Sequence, residues 1–350
     1  MNSTRSSMLG ALAALAAFAM LAAFGWGKSA AENPPPRTVE FTYRVHFPAM
    51  PGAAEAVHLW IPTPPRMTPM QDPVSGLHIE SVVRGSWNSE PRYHNGFYQF
   101  EPTAEQLASG FDVTERFTVT RREFRVLRGG QALEVSAPTP AHADSLGRDL
   151  EPDKLVPING VIAQLAEDQT AGARTPIEKA RRIYDYVVTT MHYDKSGEGW
   201  GRGDAIWACD SKRGNCTDFH SLLIGMMRSA GIPARFEIGF PLPEGKTEGD
   251  IPGYHCWAEF FIHGIGWIPV DASEASKNPA KKDYFFGTLD ANRVQFTEGR
   301  DLHLSAEQQG PPLNYFIYPY GEVAGQAVKG LESHFSFREV PGAAQMAAGR

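Results

Sequence analysis

The first third of the chain constrains the fold most strongly, because its apolar residues recur with a period of two. Between Val39 and Phe47 every second residue is apolar, and the residues between them are polar. This alternation places the apolar side chains on one face of a half-buried strand. Comparable runs follow between clusters of Pro, Gly, Asn and Ser, at residues 57–61, 77–83, 97–100 and 111–126. Short strands with turn signals between them predict an antiparallel β-sandwich over residues 37–137.

A helical pattern begins after a boundary rich in Pro, Gly and Asp at residues 137–160. Thr175, Pro176 and Glu178 form a helix-start signature, with an N-cap threonine, a proline in the first turn and a glutamate at capping-box spacing. A second helix is predicted to begin near Cys216 and to end at about residue 230.

Strands are predicted after the second helix, at residues 235–240, 254–262 and 267–271. A tight turn at residues 263–266 joins the last two of them. Helices followed by strands are typical of an α+β fold rather than of an alternating α/β fold. The run NYFIYP at residues 314–319 is predicted as a final strand.

The N-terminal 31 residues are interpreted as an export signal. An apolar stretch at residues 8–24 follows Arg5, and the small residues Ser29, Ala30 and Ala31 suit a signal-peptidase cut. We therefore expect a periplasmic or secreted protein with no stable membrane span after processing. The alternative is an uncleaved membrane anchor, although the stretch is shorter than the ~20 residues that a span needs.

Composition excludes some classes of partner and leaves others open. The hydrophobic fraction of 42% is that of an ordinary globular protein, and the net charge is −7 without a concentrated block of lysine and arginine. A nucleic-acid partner needs such a basic face, so none is expected. No motif calls for a cofactor, and the Ala- and Gly-rich tail at residues 341–350 is expected to be disordered.

The chain contains three cysteines, and Cys216 has the most patterned surroundings, KRGNCTDFHSL. Asn215 is a suitable N-cap, and Asp218 stands where its carboxylate can reach back to the N–H of the cap. Cys216 would then lie in the first helical turn, where the helix dipole favours a thiolate. Gly214 would let the backbone turn sharply into the helix. Since the Asp218 charge opposes the thiolate, a neighbouring imidazole is expected as a second activating group.

His255 is the histidine with the best context for that role. It begins the strand HCWAEFFI, and Asp271 follows 16 residues later across a glycine-containing turn. The midpoint of the two positions falls on a residue, so an odd-length hairpin loop would place both side chains on one side, opposite or diagonal to each other. A carboxylate there holds the imidazole tautomer and stabilises the imidazolium.

Cys216 has two possible roles other than that of a nucleophile. Cys216 can be a small buried side chain, which is the ordinary role of a lone cysteine. Zinc is the second alternative, because Cys216 and His220 are one helical turn apart and His255 and Cys256 are adjacent. Adjacent strand residues point to opposite faces, so the last two would not readily serve one ion. No metal is expected, and Cys209 and Cys256 are expected to be buried rather than paired.

Three segments carry a resemblance to a known family: RGNCTD at residues 213–218, YHCWAEF at 254–260 and GWIPVDAS at 266–273. Together they resemble the transglutaminase-like core that transglutaminases share with papain-like thiol enzymes. The resemblance covers roughly residues 155–300 and keeps the family order of Cys, His and Asp.

The resemblance implies an α+β fold with a transglutaminase-like, papain-like cysteine enzyme core, preceded by the antiparallel β-sandwich domain. We assign the core to residues 150–300 and a C-terminal β extension to residues 301–340. The implied roles are Cys216 as nucleophile, His255 as base and Asp271 as the group that orients the imidazole, with a thioester acyl-enzyme intermediate.

The implied function is that of an exported cysteine enzyme acting on amide bonds of a protein or peptide. Hydrolysis of a peptide or isopeptide is favoured over amine transfer, because water is the default acceptor. The alternative is a non-catalytic binding module of the cell envelope on the same fold. The Cys216 N–H is a candidate oxyanion donor. Tyr193, Trp200 and Trp207 are candidate second donors, although core packing is the ordinary role of each. Further along, Arg293 and Asp301 are expected to form a structural ion pair or to line the cleft.

Overall fold

The computed structural model describes residues 34–53, 56–128, 131–133 and 144–340. The expected export signal and the expected disordered tail lie outside these ranges. Within them, no helix combines the length and the apolar character that crossing a membrane requires.

The described ranges contain short strands and seven α-helices. The strands are β1 (Arg37–Phe47), β2 (Val57–Pro62), β3 (Ser75–Ser81), β4 (Gly85–Ser89), β5 (Gly96–Phe100), β6 (Phe111–Arg121), β7 (Phe124–Arg125), β8 (Leu127–Arg128), β9 (Gln131–Ala132), β10 (His192–Tyr193), β11 (Arg213–Gly214), β12 (Ala234–Pro241), β13 (Glu248–Ile251), β14 (His255–Ile262), β15 (Gly266–Val270), β16 (Thr288–Leu289), β17 (Arg293–Glu298), β18 (Tyr320–Val323), β19 (Gln326–Ala327) and β20 (Glu332–Glu339). The α-helices are α1 (Ala104–Ser109), α2 (Asp144–Arg148), α3 (Gly160–Thr170), α4 (Pro176–Thr190), α5 (Ala205–Ser211), α6 (Cys216–Ser229) and α7 (Ala272–Lys277).

The period-two pattern at the start of the described chain forms the strand that it predicts. In β1 the apolar residues from Val39 to Phe47 are at most 2% exposed, whereas Arg44 and His46 face solvent. β1 pairs with β6 in one unbroken antiparallel register, from Arg37 opposite Arg121 to Phe47 opposite Phe111. An unbroken register is expected here, because a slip of one residue would turn every apolar side chain of β1 outward.

Two five-stranded antiparallel sheets account for the predicted β-rich region. Their strand orders are β13-β20-β1-β6-β3 and β19-β18-β2-β5-β4. Four of these ten strands, β13, β18, β19 and β20, come from sequence after residue 240, and β20 pairs with β1 along eight residues. The late strands therefore complete the sheets that the first third of the chain begins.

The second half of the chain forms helices packed on a separate antiparallel sheet, in the order β15-β14-β12-β17. Both predicted helix starts are confirmed: Thr175 and Glu178 form the capping box of α4, and Asn215 and Asp218 form that of α6. The fold class is therefore α+β, as the order of helices and strands predicts.

Aromatic rings connect the two parts of the fold. The ring centroid of Phe41 in β1 lies 5.4 Å from that of Phe240 in β12 and 5.5 Å from that of Phe296 in β17, and the last two are 5.0 Å apart. All three side chains are at most 1% exposed. The sheet that contains β1 thus covers one face of the core sheet, and the chain from Pro36 onward is one compact unit.

The prediction of a strand at residues 314–319 is wrong. Only Leu313, just before it, forms an isolated bridge, and β18 begins at Tyr320. In this segment the carbonyl groups of Phe316 and Ile317 accept hydrogen bonds from the hydroxyl groups of Thr297 and Tyr43 instead of from a neighbouring strand. Since side chains satisfy its backbone, an apolar run of this kind needs no sheet partner.

The aromatic contact yields the first prediction. Phe240→Ala removes a ring that packs on both sides of the interface, so we expect a loss of about 3–5 kcal/mol in the free energy of unfolding. The measurement is urea unfolding followed by fluorescence and by circular dichroism. Trp87→Ala, at a side chain that is 57% exposed, is the control and should change little. Separate transitions for the two probes in the unmutated protein would contradict a single cooperative unit.

Candidate active site

Cys216 is the first residue of α6, and local sequence fixes it there. The Asn215 side chain accepts a hydrogen bond from the Thr217 N–H at 2.9 Å, and Asp218 Oδ2 accepts one from the Asn215 N–H at 2.9 Å. This is the predicted capping box. The Cys216 sulfur therefore lies at the positive end of the helix dipole. The backbone N–H of Cys216 has no acceptor within the helix, as is usual in a first helical turn.

Asp218 also holds the glycine-rich loop that leads to the helix. Its carboxylate accepts hydrogen bonds from the N–H groups of Gly201 at 2.7 Å and Gly203 at 2.9 Å. Gly214, with φ of +145°, enters the helix so closely that a Cβ there would lie 2.3 Å from Asp218 Oδ2. The predicted sharp turn at Gly214 is confirmed, and a side chain at this position would displace the carboxylate.

The hairpin β14–β15 brings His255 and Asp271 together. Its register pairs Ile262 with Gly266, which leaves a three-residue loop. The predicted odd loop length is confirmed, and it places the two positions diagonally across the hairpin. His255 Nε2 lies 2.7 Å from Asp271 Oδ2, so Nδ1 is the ring nitrogen left to share a proton with another group.

Asp271 is a fully buried carboxylate with partners on both oxygens. Oδ1 caps α7 by accepting hydrogen bonds from the Glu274 N–H at 2.9 Å and the Ser273 hydroxyl at 3.0 Å. Oδ2 accepts from His255 and, at 2.8 Å, from Arg293 Nη1. Burial alone would raise the pKa of Asp271, but the charges of His255 and Arg293 and the His255 hydrogen bond hold it well below its usual value.

Arg293 is the functional neighbour that sequence reasoning misassigned. Its expected partner was Asp301, but the guanidinium instead contacts Asp271 and, at 3.4 Å, Asp290. It lies over the Trp257 ring, 5.2 Å from the ring centroid, and is 2% exposed. Asp301 turns away and accepts a hydrogen bond from the Lys154 N–H at 2.6 Å. The sequence shows only that Arg293 is a charged residue within a predicted apolar segment, and this does not indicate that Asp271 is its partner.

The Cys216 thiol is 2% exposed, and His255 and Cys256 are the side chains that affect its ionisation most. Burial raises the pKa of the Cys216 thiol, but the hydrogen bonds from Cys256 and His255 and the positive charge of His255 outweigh burial and hold it well below its ordinary value. Burial likewise lowers the pKa of His255, yet the charge and hydrogen bond of Asp271, followed by the interaction with Cys216, raise it to about 10. The arrangement favours a thiolate–imidazolium pair at neutral pH.

His220 is a structural side chain of the site. Its Nε2 accepts a hydrogen bond from the Ala272 N–H at 3.1 Å, so Nδ1 carries the proton and donates to the Cys216 carbonyl at 2.8 Å. Burial, the largest influence, lowers the pKa of His220. The neutral ring thereby joins the start of α6 to the start of α7.

The structure differs from the alternation argument at His255 and Cys256. Cys256 Sγ lies against Thr217 and His220 of α6, and both His255 and Cys256 affect the ionisation of Cys216, although neighbouring strand residues normally point apart. The reason is that α6 directs its N-terminus at the beginning of β14, where it meets the first two side chains of the strand. Within residues 34–53, 56–128, 131–133 and 144–340, no group of three or more His, Cys, Asp or Glu side chains is placed to hold a metal ion.

The three candidate oxyanion donors have different surroundings. Trp200 Nε1 already donates to the Gly197 carbonyl at 3.1 Å. The Trp207 ring packs so closely against Gly199 that a Cβ there would lie 2.5 Å from Trp207 Nε1. Burial and then the charge of Cys216 raise the pKa of Tyr193, and Tyr193 pairs with Gly214, two residues before Cys216. Tyr193 is therefore the best placed of the three.

Comparisons with known proteins agree with this geometry. Residues 163–272 match the model of the Transglutaminase-like superfamily. A Haemophilus influenzae protein of uncharacterised function is 26% identical over 327 residues, which cover 84% of this chain and 88% of that protein. The uncharacterised protein YebA of Bacillus subtilis is 32% identical over 81 residues, only 21% of this chain and 11% of YebA.

One solved structure has the same fold over most of the chain. A Cytophaga hutchinsonii protein, assigned as a candidate cysteine protease, aligns with a TM-score of 0.58 at 15% identity, covering 87% of this chain and 91% of that one. At this identity the likeness concerns the fold alone. Residues 163–272, which carry Cys216, His255 and Asp271, thus form a transglutaminase-like core within an α+β chain.

The second prediction concerns the reactivity of the Cys216 thiol. Iodoacetamide should alkylate Cys216 at neutral pH and below, because only a thiol with a lowered pKa is ionised there. In His255→Ala the imidazolium is lost, the thiol pKa rises, and labelling should slow about tenfold for each unit of pKa. Peptide mass spectrometry measures each site, with Cys209 as the internal reference. Equal, slow labelling of all three cysteines would contradict an activated thiol.

The third prediction concerns Arg293, whose positive charge favours the deprotonated forms of both Cys216 and His255. Arg293→Met should therefore move the pH profile of Cys216 labelling upward by about one unit. Arg293→Lys keeps the charge and should move the profile less, even if it loses the contact with Asp290. If both variants lower thermal stability but leave the profile unchanged, Arg293 acts only in packing.

Proposed function

We propose that the protein is an exported cysteine enzyme that acts on amide bonds through a thioester acyl-enzyme, with hydrolysis of a peptide or isopeptide favoured over amine transfer. The observation that carries the proposal is the contact of 2.7 Å between His255 Nε2 and the Asp271 carboxylate, which leaves Nδ1 of the ring for the Cys216 thiol, whose pKa His255 lowers. This is the order of groups that nucleophilic catalysis by a thiol requires.

In the first half-reaction the Cys216 thiolate attacks the carbonyl carbon of the amide. The tetrahedral intermediate collapses when His255 gives its Nδ1 proton to the departing amine, which breaks the C–N bond and leaves a thioester. Asp271 keeps the ring oriented through Nε2 and stabilises its positive charge.

In the second half-reaction neutral His255 takes a proton from water, and the resulting hydroxide attacks the thioester. The acid leaves, and the proton held by His255 restores the thiolate–imidazolium pair. A substrate amine in place of water would give amine transfer by the same steps. We assign the Cys216 N–H and the Tyr193 hydroxyl as donors to the oxyanion, because the N–H belongs to the first turn of α6 and Tyr193 pairs with Gly214, just before that turn.

The surroundings of the thiol support a peptide-like substrate. Tyr254 hydrogen-bonds to Thr217 Oγ1 at 2.8 Å and to Asn215 Nδ2 at 3.1 Å, which places it next to the start of α6. Its ring lies 5.6 Å from that of Tyr315 and 6.0 Å from that of Tyr318, and Tyr318 is 38% exposed. An aromatic wall of this kind suits an extended chain with apolar or aromatic side chains.

The test is turnover of glutamine-containing peptides and isopeptide-linked peptides, each with and without a primary amine. The unmutated enzyme should release acid or amine-exchanged product, and Cys216→Ala should release neither. Cys209→Ala is the matched control and should leave turnover unchanged, since Cys209 belongs to α5. A thioester trapped by mass spectrometry should map to Cys216.

The fourth prediction separates the two roles of Asp271. Asp271→Asn retains an oxygen to cap α7 but loses the charge that orients and stabilises the imidazolium. We expect kcat to fall by roughly a thousandfold or more. The melting temperature should fall as well, because the buried Arg293 and His255 lose their counter-charge. Turnover that survives in Cys216→Ala would contradict Cys216 as the nucleophile. Slow labelling of Cys216 together with no turnover of any peptide would instead favour a non-catalytic binding module.

A further inference from the structure

A second sulfur lies in the site and takes no part in the proposed mechanism. Cys256 is fully buried, and its Sγ lies 3.8 Å from Thr217 Oγ1 and 3.7 Å from His220 Nδ1. Both residues belong to the first two turns of α6, the helix that begins with Cys216. Residues 216, 217 and 220 are neighbours on one face of the helix, so the Cys256 thiol is packed on the same helix end as Cys216.

Ordinary packing does not account for this placement. Each neighbour of Cys256 already has a better partner: His220 Nδ1 donates to the Cys216 carbonyl at 2.8 Å, and Thr217 Oγ1 bonds to the Tyr254 hydroxyl at 2.8 Å. The Cys256 S–H is left with a long contact of 3.8 Å to Thr217 Oγ1, on the helix face that also carries Cys216. All three cysteines are free thiols in the structure, and Cys209 contacts Lys212 Nζ at 3.9 Å instead.

The two thiols have opposite chemical characters. Cys216 lies against an imidazolium and is the better nucleophile, and a thiolate of this kind is the form that peroxides oxidise. Burial, followed by the hydrogen bond and charge of Cys216, raises the pKa of Cys256 well above its usual value. When the Cys216 thiolate is consumed, its charge no longer holds Cys256 protonated.

We propose that Cys216 and Cys256 form a site of reversible oxidation, in which Cys256 resolves the sulfenic acid that a hydroperoxide forms on Cys216. In the first step the Cys216 thiolate attacks the peroxide oxygen, the O–O bond breaks, and protonated His255 gives its proton to the departing oxygen, so that a sulfenic acid and water or an alcohol are formed. In the second step Cys256 loses its thiol proton to His255, the Cys256 thiolate attacks the Cys216 sulfur, and the S–S bond forms as the hydroxide takes that proton and leaves as water. Two thiols lose two electrons in total, and the hydroperoxide accepts them.

The disulfide has a protective consequence. It removes the nucleophile but stops oxidation before the sulfinic acid, which thiol reductants do not reverse. A dithiol reductant regenerates both thiols by exchange. Loss and recovery of activity rest on the proposed function, whereas formation of the disulfide does not.

The experiment treats the purified chain with a small excess of hydrogen peroxide at neutral pH and then blocks free thiols with an alkylating agent under denaturing conditions. Intact-mass and peptide mass spectrometry should find a loss of two hydrogens, a linked pair of peptides that contain Cys216 and Cys256, and a free Cys209. Dithiothreitol should restore alkylation of both linked cysteines.

Cys256→Ala should behave differently, because Cys216 then lacks a resolving partner. It should gain two oxygens as a sulfinic acid that dithiothreitol does not reverse, at peroxide concentrations where the unmutated chain forms the disulfide. Cys209→Ala is the matched control and should form the Cys216–Cys256 disulfide. Thermal melting of the variants checks that they are folded.

Direct conversion of the unmutated chain to the Cys216 sulfinic acid would overturn the proposal, as would a disulfide that includes Cys209. The oxidation product of the unmutated chain is enough to test the proposal, even if Cys256→Ala fails to fold. If the chain forms the expected disulfide but cleaves no amide, this inference stands and the proposed function is wrong. Amide turnover by a chain that does not form the disulfide supports the proposed function and overturns the oxidation site.

Discussion

The buried carboxylate of Asp271 is the interaction on which the rest of the site depends. One oxygen caps α7, and the other holds both His255 and Arg293. An unpaired carboxylate in this position would be costly, so the two cations are needed for stability as well as for chemistry. Because His255 is fixed by this contact, its second nitrogen is available to the sulfur at the start of α6. The stability of the hairpin and the activation of Cys216 therefore have the same origin.

The sandwich contributes rigidity to this arrangement. Phe41 of β1 packs against Phe240 and Phe296. Phe240 belongs to β12, which pairs with the hairpin strand β14, and Phe296 belongs to β17, which pairs with β12. Arg293 begins the same strand as Phe296, so the aromatic layer and the guanidinium that contacts Asp271 are parts of one element. A core sheet covered on both faces is less free to bend, and this helps to keep the side chains of the candidate site in place.

The sequence predicted correctly those features that depend on residues close together in the chain. Alternation predicted β1, capping residues predicted the starts of α4 and α6, and loop parity predicted that His255 and Asp271 lie on one side of the hairpin. Prediction failed where distant segments decide. Residues 314–319 look like a strand but are satisfied by side-chain hydroxyls, and Arg293 pairs across the sheet with Asp271 rather than with Asp301. The approach of Cys256 to the thiol was missed because strand alternation says nothing about the direction from which a helix arrives.

The central claim is that Cys216 and His255 exist as an ion pair at neutral pH, and the titration of His255 observed by NMR tests it most directly. With the imidazole labelled, the ring of the unmutated protein should remain protonated well above neutral pH and titrate near a pKa of about 10. In Cys216→Ala the pKa should fall, because the thiolate that helps to stabilise the imidazolium is gone. A ring that is neutral at pH 7 with an ordinary pKa near 6.5, unchanged by the substitution, would contradict the account.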